Sequence, residues 1–523
     1  MHLYRPLEKY LDRNRSITVA VILGTILFTG FLLRIWNISF GLPYLYHPDE
    51  PMVAIVAVRM YKNVSLNPHF FHYPSLFFYI NMFAYFPMMY VGKLLGYFES
   101  LNDIYPPFML IMGSGKTDTP SVMLLGKWFS ILLGTAVIFF IYKIGRMLTG
   151  SVSAGLIAAA VVALSPTNIE YCHYMTTDTI LVFFIVLSVY YSQKILKYGH
   201  TRYYILSGLF AGLAASSKYN GAVVVCGILA AHCFRTGFAG WKDLKIYAAV
   251  IVSVAAFLVT TPYALLTFDK FYEGLRYDVT HYASGHEGME KNVLRWYATH
   301  LIVNEGIIII FSFFGLLLAF IKRNKQVLII YGFTLVYLVF VSMFTVRNAR
   351  TILPVIPMLI LTGAWCVTVI YNYFRKRKNR LLICLCLVLS AGSIYLPAMT
   401  SFRFVHRLGI IDSRETARVW IEENIPLKSK IALEGYSPYI DKNKYILKGL
   451  DRIIDHPPAY YMNKKFDYLV FSEGMYGRYF KEPDQYHLNI KRYNLFFDVF
   501  DHVITFNDGD YEVKIYKNPG VLQ

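Results

Sequence analysis

The residues of this sequence best suited to chemistry are the adjacent acids Asp49 and Glu50, set in Tyr46-His-Pro-Asp-Glu-Pro51. A Pro-Asp step is ordinary turn chemistry, and two solvated acids in a turn are the plain reading. The flanks argue for more. Leu42-Pro43-Tyr44-Leu45 and Met52-Val-Ala-Ile-Val-Ala57 are apolar, which puts the pair near a membrane surface, where an acid is costly and usually functional. A carboxylate in a partly dry site can be held near the pKa a general base needs, an effect of roughly 10²–10⁴ in rate.

Further polar clusters lie beside apolar blocks. Glu170-Tyr-Cys-His173 with Asp178 is the first. His173 alone is more often structural than a ligand, and Asp178 suits the cap of a helix beginning at Thr179. Arg347-Asn-Ala-Arg350 is the second; two arginines three apart suit a phosphate, which guanidinium grips in bidentate fashion. Lys218, in Ser216-Ser-Lys-Tyr-Asn-Gly221, is either a snorkelling lysine or another phosphate ligand. His281-Tyr-Ala-Ser-Gly-His286 occupies a glycine-bearing loop, a weak metal signal and a candidate mobile lid. Gly113-Ser-Gly115-Lys-Thr117 imitates a phosphate-binding loop, but Leu110 stands where that pattern requires glycine.

Membrane helices must position these groups. The chain has 523 residues, 56% hydrophobic and 16% charged, with a mean hydropathy of +0.42, against about 25% charged in soluble domains. The formal charge of +18 invites a nucleic-acid partner. That reading fails because the basic residues sit in short clusters between apolar blocks, as the positive-inside rule places them. Arg5, Lys9, Arg13 and Arg15 precede a long apolar run without a small-residue cleavage site, so an uncleaved first helix is expected. The six cysteines make neither a disulfide framework nor a zinc spacing.

Apolar blocks recur from Ile17 to residue 399. If each block from 122 onward spans once, the clusters Lys143/Arg146, Lys194 to Arg202, Arg235 to Lys245, Lys322 to Lys325 and Arg375 to Arg380 fall on one side. Parity with a cytoplasmic N-terminus then requires that block 75–97 not cross. Tyr79, Tyr85, Pro87, Tyr90 and Lys93 suit an interfacial or re-entrant helix there. The expectation is a polytopic α-helical protein of the cell (cytoplasmic) membrane with about eleven spans of roughly 20 residues. Residues 1–400 form its membrane domain and 401–523 a small extracytoplasmic α/β domain. In the latter, 413–425 reads as an amphipathic helix, strand-like runs follow at Ile431, Asp467 and Val503, and Asn507-Asp-Gly-Asp510 signals a hairpin. Asp49, Lys218, Arg347 and Arg350 share the outer face in this topology.

In that order and sidedness the chain resembles the membrane glycosyltransferases of the GT-C type, in particular bacterial relatives of the protein O-mannosyltransferases and the lipid A aminoarabinose transferases. The resemblance is carried by Asp49-Glu50 after the first helix, Tyr73-Pro-Ser-Leu76, Ser165-Pro with Asp178, and Gly208-Leu-Phe-Ala-Gly-Leu with Lys218. His281 to His286, Arg347 to Pro357 and the outer C-terminal domain complete it. It implies inverting transfer of a sugar from a polyprenyl-phosphate carrier to an acceptor at the outer face. Asp49 would be the base and Glu50 its support; Arg347, Arg350 and Lys218 would hold the donor phosphate. Where the family has Lys-Pro-Pro this chain has His72-Tyr73-Pro74, so His72 and Tyr73 stand in a donor-phosphate position. Glu170, His173, Asp178, His281 and His286 mark the region of substrate and acceptor. Some relatives bind a divalent metal ion, the one cofactor the resemblance allows. The competing class is a transporter or flippase of lipid-linked sugars, whose charges would lie near the midplane between inverted repeats; a non-catalytic scaffold is the third.

Overall fold

Long apolar runs punctuated by proline, glycine and basic clusters fold here as a succession of helices, and the computed structural model describes residues 4–520 except Lys291. The side chains of Arg5, Lys9, Arg13 and Arg15 lie outside the described residues. In chain order come α1 (Tyr4–Ile35), β1 (Tyr44–Leu45), α2 (Glu50–Asn63), α3 (Leu76–Leu94), β2 (Phe108–Ile111), β3 (Ser114–Lys116) and α4 (Pro120–Thr149). Next are α5 (Val152–Ala163), α6 (Pro166–Cys172), α7 (Asp178–Tyr198), α8 (Thr201–Ser217), α9 (Val225–Thr236), α10 (Leu244–Thr260) and α11 (Tyr263–Leu266). Then follow α12 (Phe268–Ser284), α13 (Val293–Glu305), α14 (Ile308–Ile321), α15 (Lys325–Ser342), α16 (Ala349–Ile352), α17 (Ile356–Lys376) and α18 (Arg380–Arg407).

Six helical runs among the described residues are long and apolar enough to cross a bilayer: those of α1, α4, α7, α15, α16–α17 and α18. The bent pairs α5–α6 and α13–α14 raise the number to eight if each is one span. The expected eleven also counts α8, α9 and α10, helices of 17, 12 and 17 residues, shorter than the roughly 20 of a straight span. The block expected to lie at the interface is α3. It packs Phe77, Phe78, Met82 and Tyr85 against α2 and exposes Phe83, Phe86, Tyr90 and Leu94.

At the centre stands α17, buried from Ile356 to Thr368, whereas α1 and α18 turn most of their apolar surface outward, at little cost where lipid is the solvent. Gly208 and Gly212 let α8 lie directly on α10: a Cβ at either would come 2.2 Å from the carbonyl oxygen of Ala249 or Ser253. Arg34, fully buried at the end of α1, donates to the carbonyls of Gly30, Ala163 and Val162 at 2.9, 3.0 and 3.2 Å. It thereby ties α1 to the C-terminus of α5.

Beyond α18 the chain builds a five-stranded sheet between helical layers. Its parts are α19 (Ser413–Asn424), β4 (Lys430–Glu434), β5 (Ile446–Leu450), α20 (Pro458–Asn463), β6 (Tyr468–Ser472), α21 (Glu473–Phe480), α22 (Pro483–Val499), β7 (Asp501–Phe506) and β8 (Val513–Lys517). The strand order is β5-β4-β6-β8-β7, with β5 and β6 parallel to β4, and with β8 antiparallel to β6 and β7. Alternation sorts the two faces: Ile431, Leu433, Val470 and Ile515 pack with Ala417 and Ile421 of α19, while Ala432, Leu469, Phe471 and Tyr516 face the side of α20 to α22. The amphipathic helix and the β7–β8 hairpin match expectation. β5 carries no hydrophobic alternation in Ile446-Leu-Lys-Gly-Leu450, so its sequence gives no strand signal.

Glu434 is buried at the heart of this sheet and accepts from the Ser472 and Ile453 N–H groups at 3.0 and 3.3 Å and from the Tyr493 hydroxyl at 3.0 Å. Burial nevertheless pushes its carboxyl up to about 8. The folded state thus keeps a proton that an unfolded chain, with carboxyls near about 4.3, releases. Between those values the folded state binds more protons, so its stability falls as pH rises. The thermal unfolding midpoint of the purified protein is expected to drop from pH 5 to pH 8, and Glu434→Gln should flatten that slope; an unchanged slope in the variant would remove Glu434 as its source.

Candidate active site

The ends of five segments meet at one small crevice lined by Asp49, Val53, Tyr73, Thr176, Thr177, Asp178, Lys218 and Arg350. Asp49 stands at the N-cap of α2, Tyr73 just before α3, Asp178 at the first residue of α7, Lys218 where α8 ends in extended backbone, and Arg350 in the single turn of α16. Charges gather where helices end because backbone N–H and C=O groups there lack intrahelical partners and polar company is needed anyway.

The two acids of the pair part ways. An aspartate at an N-cap normally accepts from its own helix, but Asp49 makes no such bond and its carboxylate is paired with the Arg350 guanidinium. It keeps 24% of its side-chain surface exposed. Glu50, one residue on, begins the helix and rotates into the interior. There it accepts from the Met175 N–H at 2.8 Å and lies 3.7 Å from the ammonium of Lys127, which is itself buried on α4. Burial pushes its carboxyl up, opposed by Lys127 and the Met175 N–H. Glu50 therefore does not line the crevice beside Asp49, as its expected supporting role would require; it fastens segment 173–177 to α2.

Asp178 was expected to cap its helix or to serve the substrate. Its carboxylate receives the Lys218 ammonium at 2.8 Å, and the N-cap position of α7 belongs to Thr177. Lys218 does not snorkel: its side chain is 15% exposed. Arg350 holds its own turn through Asn348, whose side chain accepts the Arg350 N–H at 3.1 Å. Its Nε is buried and finds no hydrogen-bond partner among the described residues. Two acid–cation pairs thus face each other across the crevice, with one guanidinium donor to spare.

Other expected residues lie elsewhere. Arg347 is paired with Glu482 at the start of α22, away from the crevice. Asn348 between the two arginines is extended, with φ −151° and ψ 140°, so they do not share a helix face. His72 is bound to Asp278 of α12 at 2.8 Å, which raises its pKa by hydrogen bonding. His173 is buried with its ring nitrogens 2.9 and 3.0 Å from the carbonyl oxygens of Ile169 and Trp36, a structural post. Glu170 is half-buried, with Asp510 of the β7–β8 turn and Arg407 as its charged neighbours. The loop after α12 is no hanging lid: His286 meets Arg478 at 3.2 Å, Glu287 binds Arg452 and the Tyr479 hydroxyl, and Glu290 binds Tyr486 and Gln485. His281 stacks on Tyr277. Among the described residues no three of His, Cys, Asp and Glu are arranged to hold a metal ion, and Asp49 and Asp178 are each already matched by a cation.

Two residues of the site escaped the sequence reading. Lys127 was a lone cation within an apolar run, the signature of a charge that needs a buried partner. His47 accepts the Asp49 N–H at Nδ1, 3.2 Å away.

Residues 119–264 match the family described as dolichyl-phosphate-mannose-protein mannosyltransferase. No curated protein matches the chain. Among solved structures, the archaeal oligosaccharyltransferase AglB of Archaeoglobus fulgidus, in complex with an inhibitory peptide and a dolichol-phosphate, aligns over 96% of this chain and 74% of its own, with a TM-score of 0.56 and 12% identity. ArnT from Cupriavidus metallidurans in the apo state covers 96% of this chain and 98% of its own, with a TM-score of 0.54 and 14% identity. ArnT bound to undecaprenyl phosphate gives a TM-score of 0.52 at 13% identity over the same shares. At such identities the likeness is one of fold. Apolar helices and fold together make this chain a multi-pass membrane protein that shares the fold of these glycosyltransferases, with the family match confined to 119–264.

Proposed function

We propose that the protein moves a sugar from a polyprenyl-phosphate carrier to an acceptor at the extracytoplasmic face of the cell membrane, with inversion at the anomeric carbon. The observation that carries this is the crevice in which Asp49, released from capping its helix, meets Arg350 across from the Lys218–Asp178 pair. Asp49 takes the proton of the acceptor's nucleophile, a step typically worth about 10²–10⁴ in rate. The nucleophile bonds to the anomeric carbon from the side opposite the phosphate. The bond from that carbon to the phosphate oxygen breaks, and its electron pair stays on the phosphate, where the guanidinium and ammonium meet the charge that develops. Tyr73, in the same crevice, borders the donor. No step is routed through a metal ion.

Sidedness follows from charge. The crevice lies at the starts of α7 and α17 and at the end of α8, while Lys194, Lys197, Arg202, Arg375 and Lys376 lie at the opposite ends of those same helices. The positive-inside rule then puts the basic ends in the cytoplasm and the crevice, with the C-terminal domain, outside. A transporter would instead hold its charges at mid-depth.

In proteoliposomes supplied with radiolabelled polyprenyl-phosphate monosaccharides, the mannosyl form first, the protein should consume donor and release polyprenyl phosphate, the sugar passing to water or to an acceptor added as cell-envelope extract. Asp49→Asn should abolish turnover in protein that still folds, with some loss of melting temperature from the unmatched Arg350; turnover retained by that variant would take the base role from Asp49. Glu50→Gln should behave oppositely. Stranding buried Lys127 costs roughly 3–5 kcal/mol, so folded yield falls, and Glu50→Gln with Lys127→Met should restore it. Arg350→Ala should weaken undecaprenyl phosphate binding by about tenfold or more; unchanged binding would leave the phosphate to other residues.

A further inference from the structure

The Asp49 carboxylate has a competing place to be. At an N-cap the low-energy home of an aspartate is over its own helix, accepting a first-turn N–H. Here it turns the other way, and the sequence around it shows what holds it. Pro48 and Pro51 have no N–H, so the entry to α2 offers few donors, and the Asp49 N–H is one of them. That N–H goes back two residues to Nδ1 of His47, at 3.2 Å.

The imidazole has a second contact. Its ring lies on that of Tyr174, with centroids 4.2 Å apart and an interplanar angle of 32°. Tyr174 belongs to the segment whose Met175 N–H is held by Glu50 at 2.8 Å. The same segment delivers Thr176, Thr177 and Asp178 to the crevice wall opposite Asp49. His47 and Glu50 therefore hold one segment at successive residues, Tyr174 and Met175, with Asp49 between them in sequence and facing what that segment carries.

The acceptor role needs a bare Nδ1. Burial pushes the His47 imidazole down to about 3, helped by the cations Arg350, Lys127 and Arg414. Asp49 and Tyr174 are its other polar neighbours. We propose that His47 is a positioning residue for the transfer reaction: its unprotonated Nδ1 holds the Asp49 N–H and its ring braces Tyr174, so that the Asp49 carboxylate stays aimed at Arg350 and the crevice instead of folding back onto α2. This rests on the reading of Asp49 as the base.

The test compares three substitutions in the full-length protein, using the labelled donor that the wild type consumes. His47→Phe keeps a ring on Tyr174 without the acceptor; His47→Asn puts an amide oxygen near the place of Nδ1; His47→Gln carries its oxygen one carbon too far. A misaimed base costs rate more than affinity, so His47→Phe should lose about 10- to 100-fold in kcat with donor KM within about twofold, and His47→Asn should recover most of the loss. Wild-type kcat in His47→Phe, or a His47→Asn no faster than His47→Phe, overturns the inference. If His47→Phe does not fold, the comparison passes to the amides: His47→Asn faster than His47→Gln supports the role, and equal rates overturn it. Asp49→Asn run alongside separates the two ideas. An active Asp49→Asn brings down the base reading itself, whereas an inactive Asp49→Asn beside fully active His47 variants brings down only this inference.

Discussion

Placing charge where water is scarce is the constraint on which this structure turns, and the chain meets it by pairing. Asp49 with Arg350, Asp178 with Lys218 and Glu50 with Lys127 are each an acid on one element and a cation on another. A lone charge in such surroundings would neutralise or drag the segment outward. Matched, the charges become cross-links between helix ends far apart in sequence. Asp49 and Arg350 join α2 to α16, Asp178 and Lys218 join α7 to α8, and Glu50 and Lys127 join α2 to α4. The crevice is what remains between those links.

The C-terminal domain takes part in the same arrangement. Arg414, buried at the start of α19 and doubly bonded to Asp412 at 2.7 Å, places its guanidinium 4.1 Å from the centre of the Tyr46 ring and reaches the Tyr46 carbonyl at 3.4 Å. The residue just before His47-Pro-Asp-Glu is thus gripped from the far end of the chain. α21 and α22 hold the loop after α12 and draw Arg347 to Glu482. The domain braces both rims of the crevice, which accounts for its many contacts there without assigning it chemistry of its own.

Much of the architecture was legible because hydrophobic runs of helical length, basic clusters at their ends and strand alternation are local signals. The polar residues of the crevice were legible for a related reason: Asp49, Asp178, Lys218 and Arg350 are each conspicuous against apolar neighbours. What could not be read is direction. Whether Asp49 or Glu50 faces the crevice depends on the residue at which α2 begins, and one residue is about a hundred degrees of helix. Arg347 and Arg350 looked like one binding pair because spacing by three suggests one helix face; the extended Asn348 between them breaks that premise. The loop from His281 to Glu287 looked free because the partners of His286 and Glu287, Arg478 and Tyr479, lie far along the sequence in the C-terminal domain.

The charge count of the crevice bears on why a guanidinium should stand between acid and donor. Two acids face two cations, a balanced set before any substrate charge is added. A polyprenyl-phosphate sugar is a diester carrying one negative charge, and the released monoester carries about −1.5 to −2 near neutral pH. In the proposed transfer the proton taken by Asp49 removes a negative charge from one side of Arg350 while the breaking glycosidic bond adds one to the phosphate. The total around the guanidinium barely changes; only its location does. A planar cation with several donors in a fixed fork can follow that shift by exchanging partners without leaving its place, and the spare Nε of Arg350 is the donor through which the exchange can begin. Lysine, a single point of charge, would have to choose between the two.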